Sequence, residues 1–488
     1  MNKATSKVGW RFDNTYSKLP DTMLSKLVPV PVKKPKIVIL NYSLSKELGL
    51  DFSNVNDQDL SLIFSGNKLP EGSDTIAQAY AGHQFGHFTM LGDGRAIVIG
   101  EHLSKNNQRF DIQFKGSGKT PFSRNGDGRA ALGPMLREYI ISEAMHSLKI
   151  PTTRSLAVVK TGETVMRETP LIGAILTRVA ESHIRVGTFQ YAVTSKDKSD
   201  LKVLFDYTIN RHYPSLKKSN NPAIELLNTV IEKQTKLIVD WMRVGFIHGV
   251  MNTDNMTISG ETIDYGPCAF MDYYDPETVF SSIDYQGRYA FFNQPGIAKW
   301  NLARFAESLI PLIDNNKDKA IEMATECINN FASVYQKFWL EMMRKKLGLA
   351  GEEIKDEGLI VELLSWMHKN KADYTNTFCY LMNEKVLDEK IYTNQDFINW
   401  KKQWQERLKL HNSSKEKSSE IMRSVNPLVI PRNHIVEKAL DAANKDDLNP
   451  ILDLLRVLEK PYQKQETKNN YQAPGPITGE KYQTFCGT

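Results

Sequence analysis

The alternation of apolar and polar residues predicts a β-sheet in the first part of the chain. It is clearest in residues 109–115, where Phe110, Ile112 and Phe114 alternate with polar or charged side chains. Because successive side chains of a strand point to opposite faces, the apolar set is expected to face a core. Further strands are predicted at residues 96–99, 155–160, 164–168 and 173–178.

Apolar residues that recur with a period near 3.6 predict helices in much of the remaining chain. In residues 134–148 they form one stripe, and Pro134 suits the first turn of a helix. A longer helix is predicted at residues 221–244, and it leads directly into a segment rich in Asn, Asp and Gly. Further helices are predicted at residues 298–312, 318–343, 358–367, 396–408 and 433–441.

Together these elements predict an α+β protein in which a small strand-rich lobe precedes a larger helical lobe. The 488 residues exceed what one compact core usually holds. Residues 1–75 are predicted to form a wrapping N-terminal segment, residues 76–190 the strand-rich lobe, and residues 191–459 the helical lobe. Residues 460–488 are polar and are predicted to form a flexible tail.

The segment from Gly245 to Gly266 contains a candidate metal site. Its residues 256–258 and 262–263 are predicted as two short strands joined by a turn, which would bring Asn255 and Asp264 to the same end. An amide oxygen and a carboxylate close together suit Mg²⁺ or Mn²⁺ that also binds phosphates.

The same segment can be compared with the kinase signature H-R-D-x-x-x-x-N followed by D-F-G. His248 and Asn255 occupy the His and Asn positions, and the tripeptide that begins at Asp264 occupies the D-F-G position. Val250 occupies the position of the usual base and cannot accept a proton, so Asp254 is the nearest substitute. The alternative interpretation is an ordinary turn, because Asn, Asp and Gly are the commonest turn residues.

Charged residues upstream strengthen the comparison through their order. Lys115 ends a predicted strand, and Glu138 on the following helix is its candidate ion-pair partner, as in kinases. Arg178 and Arg185 lie near a strand end and a helix start, where they suit an oligophosphate. Each of these residues, taken singly, is also compatible with an ordinary surface position.

The sequence GDGR occurs twice, at residues 92–95 and 126–129. Glycines in such turns let backbone N–H groups approach a phosphate, and Arg95 would add positive charge. Simple hairpin turns are the alternative interpretation.

The composition, 41% hydrophobic and 24% charged, is that of an ordinary soluble protein. The net charge of +5 is small for this length and gives no indication of nucleic-acid binding. There is no apolar run of about 18 residues and no apolar signal segment, so a cytoplasmic protein without a membrane partner is expected. The four cysteines form no CxxC pair, which argues against structural zinc and favours reduced thiols.

Several longer segments resemble the selenoprotein O (YdiU) family of kinase-fold proteins. The resemblance extends from about residue 7 to residue 440 and is densest in AYAGHQFGHFTMLGDGR, KGSGKTPFSRNGDGRAAL, HGVMNTDNM, IDYGPCAFMD and QGRYAFFNQPGIAKWNLARFA. It implies a protein-kinase-like two-lobed fold that binds ATP in a flipped orientation. It implies transfer of AMP to Ser, Thr or Tyr of target proteins with release of pyrophosphate. Transfer of UMP from UTP, favoured by Mn²⁺, is also associated with bacterial members.

The resemblance assigns roles to residues of this sequence. It implies Asp254 as the base, Glu138 as the partner of the phosphate lysine, and Asn255 and Asp264 as ligands of Mg²⁺ or Mn²⁺. The residues implied in nucleotide binding are Gly92, Gly94, Arg95, Lys115, Asp127, Gly128, Arg178, Arg185 and Asp264.

Some family members carry selenocysteine near the C-terminus, where this chain has Cys486. A redox link between Cys486 and Cys268 is therefore a hypothesis. Two other functions stay open: a kinase that transfers the γ-phosphate, which Val250 argues against, and a scaffold that binds nucleotide without chemistry.

Overall fold

The computed structural model describes residues 8–412, 414–465, 469–476 and 482–484. Strands dominate up to residue 180 and helices dominate from residue 186 onward. The strands are β1 (Leu24–Lys26), β2 (Lys36–Leu40), β3 (Ile76–Gln78), β4 (Ala81–Gln84), β5 (His87–Met90), β6 (Ala96–Leu103), β7 (Arg109–Lys115), β8 (Ala130–Ala131), β9 (Arg154–Met166), β10 (Pro170–Ala180), β11 (Phe246–Ile247) and β12 (Ala269–Phe270).

Helices account for most of the described chain beyond the sheet. The predicted helix at residues 221–244 corresponds to α6, capped at its start by the Asn221 side chain. The helices are α1 (Tyr42–Leu48), α2 (Asp57–Phe64), α3 (Leu132–Ser147), α4 (Val186–Thr194), α5 (Ser199–His212), α6 (Pro222–Val244), α7 (Gln294–Ile313), α8 (Lys317–Lys346), α9 (Asp356–Asn370), α10 (Tyr374–Leu381), α11 (Gln395–Leu408), α12 (Lys415–Val425), α13 (Asn433–Ala443), α14 (Asn449–Leu458) and α15 (Asn469–Gln472).

The main sheet has the strand order β1-β3-β6-β7-β10-β9-β2, and β8 pairs with β10. Neighbouring strands are antiparallel. The two edge strands, β1 and β2, both come from the first 75 residues. The N-terminal segment therefore forms the two edges of the sheet. The two strands predicted at 155–160 and 164–168 are one continuous strand, β9.

The central strand β7 is buried on both of its faces. Ile112 and Phe114 pack into a hydrophobic cluster that includes residues of α1 and α2. On the other face Asp111, Gln113 and Lys115 are also buried, although they are polar. A buried polar face requires partners. The strand therefore contributes charged groups to the interior of the protein as well as apolar groups to a core.

Helix α3 packs against β9 and β10 and is itself contacted by α13 and α14. Farther along the chain, α6 packs against α7 and α8. The long helix α6 ends at Val244, immediately before the segment that carries the candidate metal residues. Helices from the last third of the described chain therefore hold α3 against the sheet.

The predicted hairpin at residues 256–263 is wrong. Thr257 forms an isolated bridge with Arg185, and Thr262 forms one with Thr152, so the two halves pair with other segments. The side chain of Thr257 does bind the backbone of Glu261, which closes a compact turn. The turn residues were correctly recognised, but long-range pairing replaces the local ladder.

The flexible tail predicted for residues 460–488 stays a prediction, but its described residues contact the rest of the protein. The carbonyl of Gln472 accepts a hydrogen bond of 2.9 Å from the buried Arg432 guanidinium. The Thr484 hydroxyl donates to the Pro267 carbonyl at 2.8 Å. These parts of the tail lie against the body of the protein, close to the candidate metal segment. None of the helices in the described ranges is long and apolar enough to cross a membrane.

Candidate functional site

Most of the residues selected from the sequence line one cavity of about 650 Å³. The cavity lies between residues of the sheet, the loop at 122–129 and the segment that follows α6. The candidates that line it are Gly92, Gly94, Arg95, Lys115, Asp127, Gly128, Arg178, Arg185, Asp254, Asn255 and Asp264.

Lys115 lies between two carboxylates at the end of β7. Its Nζ donates to Glu138 Oε2 at 2.6 Å and to Asp264 Oδ1 at 3.2 Å. Glu138 comes from α3 and is 1% exposed. Burial disfavours its charged form, but Arg178 and Lys115 hold the pKa of Glu138 below its ordinary value. The carboxylate therefore stays ionised and fixes the lysine at the cavity wall.

Arg178 in β10 joins the same two carboxylates from the other side. Its Nε and Nη2 donate to Glu138 Oε1 at 2.8 and 2.6 Å, and Nη2 also donates to Asp264 Oδ1 at 2.6 Å. The guanidinium is fully buried, so these bonds are made largely away from water. Arg178 thus ties α3 to the segment that follows α6, although it also lines the cavity.

Arg185 is held more loosely than Arg178. It is the N-cap residue that precedes α4, and its Nη atoms lie 3.7 Å from Asp93 Oδ1 and 3.7 Å from Asp264 Oδ2. Its guanidinium also lies 4.3 Å from the centre of the Tyr80 ring, a cation–π geometry. Its Nε is buried and finds no hydrogen-bond partner among the described residues. This guanidinium has donors left for an anion in the cavity.

Asp264 is the point at which the three cations converge. Burial opposes its ionisation, but Arg178, Lys115 and Arg185 hold the pKa of this carboxyl well below its usual range. Its backbone has φ of 61°, the left-handed region in which Asp is among the few tolerated residues. The conformation directs an ionised carboxylate into a positively charged part of the cavity.

Asp254 and Asn255 lie on a 3₁₀ turn, Thr253–Asn255, that contacts the hairpin of β4 and β5. The backbone N–H of His83 donates to Thr253 Oγ1 at 2.7 Å. Gly82 in β4 lies so close that a Cβ there would overlap the Asp254 carboxylate. The hairpin thus fixes the position of the turn, and this contact was not apparent from the sequence.

The Asp254 carboxyl differs from that of Asp264 in its surroundings. Burial raises the pKa of Asp254 to about 6, although Arg185 acts in the opposite direction. Its Oδ1 is buried and accepts no hydrogen bond from the described residues. A carboxyl with this pKa is mostly ionised at neutral pH and can accept a proton.

Asn255 has its amide group oriented by the neighbouring loop. Nδ2 donates to the Val250 carbonyl at 2.9 Å, which leaves Oδ1 as the atom available to a ligand. No cluster of three or more His, Cys, Asp or Glu side chains suited to a metal occurs within the described ranges. The protein would therefore supply a hard cation with the oxygens of Asn255 and Asp264, and phosphate oxygens would complete the shell.

His248 has a structural role. Its Nε2 is 2.9 Å from the Ile263 carbonyl oxygen, and its ring stacks on Trp241 with centroids 5.3 Å apart. This contact joins the start of the segment to the residue before Asp264. It brings Asn255 and Asp264 to one cavity without the predicted hairpin.

The first GDGR turn packs beneath the loop that follows β7. A Cβ on Gly92 would overlap the ring of Phe122, and one on Gly94 would lie 2.9 Å from the Phe122 carbonyl oxygen. The Thr120 hydroxyl donates to the Asp93 carbonyl at 2.7 Å. The glycines are therefore required by the close approach of this loop, and Arg95 lines the resulting cavity.

The second GDGR turn is held by a residue that the sequence did not single out. Arg167 donates to both oxygens of Asp127 at 2.9 and 3.2 Å, and this contact lowers the pKa of Asp127. Gly128 packs against Gly118, whose N–H donates to the Gly128 carbonyl at 3.0 Å. The turn is thus attached to Arg167, which immediately follows β9, and to the loop that covers the first turn.

Cys268 is buried beside the candidate metal segment. Cys486 lies outside the described residues, so its link to Cys268 stays a prediction.

Comparison with known proteins identifies the family to which the chain belongs. A family model described as "Protein adenylyltransferase SelO" matches residues 7–459. The chain is 64% identical to a protein of Pelagibacter ubique (strain HTCC1062) named "Protein nucleotidyltransferase YdiU", over 99% of this chain and 100% of the relative. It is 58% identical to the protein of that name from Nitrosococcus oceani, over 99% and 98% of the two chains. The chain therefore belongs to the SelO family and is an enzyme that transfers nucleotidyl groups to proteins.

Proposed function

We propose that the protein transfers AMP from ATP to hydroxyl groups of Ser, Thr or Tyr in acceptor proteins and releases pyrophosphate, with the help of a divalent cation. The observation that carries the proposal is the convergence of Lys115, Arg178 and Arg185 on Asp264. This cluster faces the same cavity as Asp254 and the glycine turns. Such a cavity suits a triphosphate better than a neutral ligand.

The cationic side chains divide into two groups with different tasks. Arg178 has its donors committed to Glu138 and Asp264, so it holds the site together. Lys115 keeps one N–H beyond its bonds to Glu138 and Asp264, and Arg185 has an Nε without a partner among the described residues, so these two would contact the phosphates. Because negative charge develops on the departing pyrophosphate, preorganised cations at that position stabilise the transition state more than the bound substrate.

Asn255 Oδ1 and the Asp264 carboxylate would hold Mg²⁺ or Mn²⁺. Both oxygens lie at the cavity, and Asp264 stays ionised because of its three cationic neighbours. The bound cation would supply Lewis-acid stabilisation of charge on the phosphate oxygens.

Asp254 would act on the acceptor hydroxyl. The hydroxyl oxygen forms a bond to the α-phosphorus, the bond to the bridging oxygen of the pyrophosphate breaks, and the hydroxyl proton passes to Asp254. With a pKa of about 6 the carboxyl is mostly ionised at pH 7 and can take that proton. Val250, in the position of the usual kinase base, has no group that could do so.

A kinase-like, two-lobed arrangement is part of the proposal. It is supported by the strand-rich first part, the helical second part and the ion pair between a strand lysine and a helix glutamate. Transfer of UMP from UTP is an alternative reaction of the same cavity. The contacts proposed for Lys115 and Arg185 are with phosphates, which ATP and UTP share, and not with the base.

The test follows label from nucleotides to protein. Purified protein is incubated with ATP labelled at the α- or the γ-phosphate, or with α-labelled UTP, in Mg²⁺ or Mn²⁺. Label from α-labelled ATP on acceptor protein is expected, whereas label from the γ-position alone would overturn the proposal in favour of a kinase. Tight ATP binding without any label would favour a scaffold. Asp264→Ala is expected to abolish transfer, and retained activity would show that the metal site is misassigned.

A further inference from the structure

A second cavity of about 600 Å³ lies beside the nucleotide cavity. One wall is the end of the β4–β5 hairpin, with Phe85 and His87, and the other is formed by residues 283–297. We call it the lateral groove. It shares no residue with the lining of the first cavity, so it is a separate surface of the protein.

The lateral groove exposes apolar side chains. Ile283 is 52% exposed and Tyr285 is 91% exposed, and both line the groove together with Phe85 and Ile297. Exposed apolar groups that surround a concavity are typical of a surface that binds another molecule. The apolar character alone does not identify that molecule.

The charge of the groove does identify a chemical class. Arg288 lines the groove and forms no ion pair with any described carboxylate, and its Nε is buried without a hydrogen-bond partner in the described chain. Asp284, the acidic residue in the lining, uses its two oxygens on the backbone N–H groups of Arg288 and Tyr289, at 2.9 and 2.8 Å. The guanidinium lies 5.0 Å from the centre of the Trp300 ring and interacts with the Tyr289 side chain. Because no carboxylate of the described residues neutralises it, its charge can attract a carboxylate from outside.

Hydrogen bonds connect the lateral groove to the segment that leads into the Thr253–Asn255 turn, which carries Asp254. Asn252, two residues before Asp254, accepts a hydrogen bond from the Phe85 backbone at 3.1 Å and one from the Tyr289 hydroxyl at 2.7 Å. Phe85 and Tyr289 also pack against each other with ring centroids 5.2 Å apart. Asn252 lines the nucleotide cavity, whereas Phe85 lines the groove, so one wall separates the two.

We propose that the lateral groove binds the acceptor protein, as an extended segment that places an apolar side chain against Ile283 and Phe85 and an acidic side chain on Arg288. This inference rests on the proposed function, because only a nucleotidyl transfer to a protein requires an acceptor hydroxyl to reach Asp254 from outside. A segment in the groove would carry its hydroxyl across the wall formed by Asn252. The groove would then select acceptors whose hydroxyl has an acidic neighbour.

The test uses synthetic peptides with one Ser, Thr or Tyr in which each flanking position is in turn Asp, Ala or Lys. Binding of fluorescein-labelled peptides is measured with a non-hydrolysable ATP analogue present, so that it does not depend on transfer. The wild-type protein is expected to bind the best Asp peptide roughly fivefold more tightly than its Lys counterpart, and Arg288→Glu is expected to reverse the order. Ile283→Ser is expected to weaken binding of both peptides.

Arg304→Glu is the matched control, because Arg304 stacks on the same Trp300 ring but already pairs with Glu307 at 2.6 Å and does not line the groove. It is expected to keep the preference for Asp. An unchanged preference in Arg288→Glu, no charge preference in the wild type, or an equal reversal in Arg304→Glu would overturn the groove assignment. Failure of the proposed function shows itself separately, as absence of α-label on protein.

Discussion

Gly82 lies directly against the carboxylate of Asp254, although the two residues are far apart in the sequence. No side chain at position 82 can be accommodated without displacing the Asp254 side chain, the β4–β5 hairpin or the Thr253–Asn255 turn. The contact explains how a short hairpin that contributes no charged group to the cluster still determines the geometry of the site.

Gly82→Ala is therefore expected to reduce kcat for nucleotidyl transfer by about 100-fold or more, since misplacement of a reacting group by about 1 Å has an effect of that size. The dissociation constant for ATP is expected to change little. Transfer of α-labelled AMP and equilibrium nucleotide binding measure the two quantities. Gly358→Ala is the control: a Cβ there meets nothing within 4 Å, and wild-type kinetics are expected. Wild-type kinetics in Gly82→Ala would contradict the role of this contact.

Asp254→Asn is expected to lower kcat by about 10²- to 10⁴-fold, the range typical of a general base. The amide keeps the shape of the side chain but cannot take a proton. ATP binding, measured by calorimetry, should stay near the wild-type value because the proposed phosphate contacts are assigned to Lys115 and Arg185 and not to Asp254. Equal loss of kcat and ATP affinity would show that Asp254 acts through the nucleotide instead.

Glu138→Ala is expected to destabilise the fold as well as the site. The substitution leaves Lys115 and Arg178 buried with one carboxylate, Asp264, between them. Removing one member of a buried ion cluster costs about 3–5 kcal/mol, measurable as a lower free energy of unfolding in denaturant.

The matched control for this substitution is Asp206→Ala, which breaks the exposed pair with Lys202. A loss below about 1 kcal/mol is expected there. Similar losses in the two variants would show that the buried cluster contributes no more than a surface pair.

His212 makes the fold sensitive to acid. Burial and the neighbouring Arg211 lower the pKa of His212 to about 3, and its Nε2 is 2.8 Å from the Ser182 hydroxyl. Between the unfolded value near 6.5 and about 3, the unfolded state binds a proton that the folded state does not, so stability falls as the pH falls through this window. His212→Gln keeps a polar partner for Ser182 but does not titrate.

The free energy of unfolding of this variant is expected to decline less than that of the wild type between pH 6.5 and pH 4. The free energy of unfolding is measured by urea unfolding at each pH. An equal decline in the wild type and in His212→Gln would contradict the role of His212 in acid sensitivity.

Much of the secondary structure followed from local periodicity. Helix α6 was predicted almost to the residue because its apolar stripe is long and Asn221 and Gly245 mark its two ends. Strand β7 was predicted from alternation alone, but the burial of its polar face was not, since alternation usually marks one solvated side. The order of the candidate lysine, glutamate, asparagine and aspartate was also visible in the chain.

The relative positions of those residues were decided only by the tertiary structure. The hydrogen bond from Lys115 to Asp264 spans 149 positions, and that from His83 to Thr253 spans 170. The local pattern of apolar residues predicts which face of a helix or strand is buried, but it does not predict which distant segment packs against that face. For that reason the sequence identified the residues of the Asn255–Asp264 segment but predicted a hairpin between them. The structure instead joins that segment to Thr152 and Arg185, where burial and long-range hydrogen bonds outweigh local strand pairing.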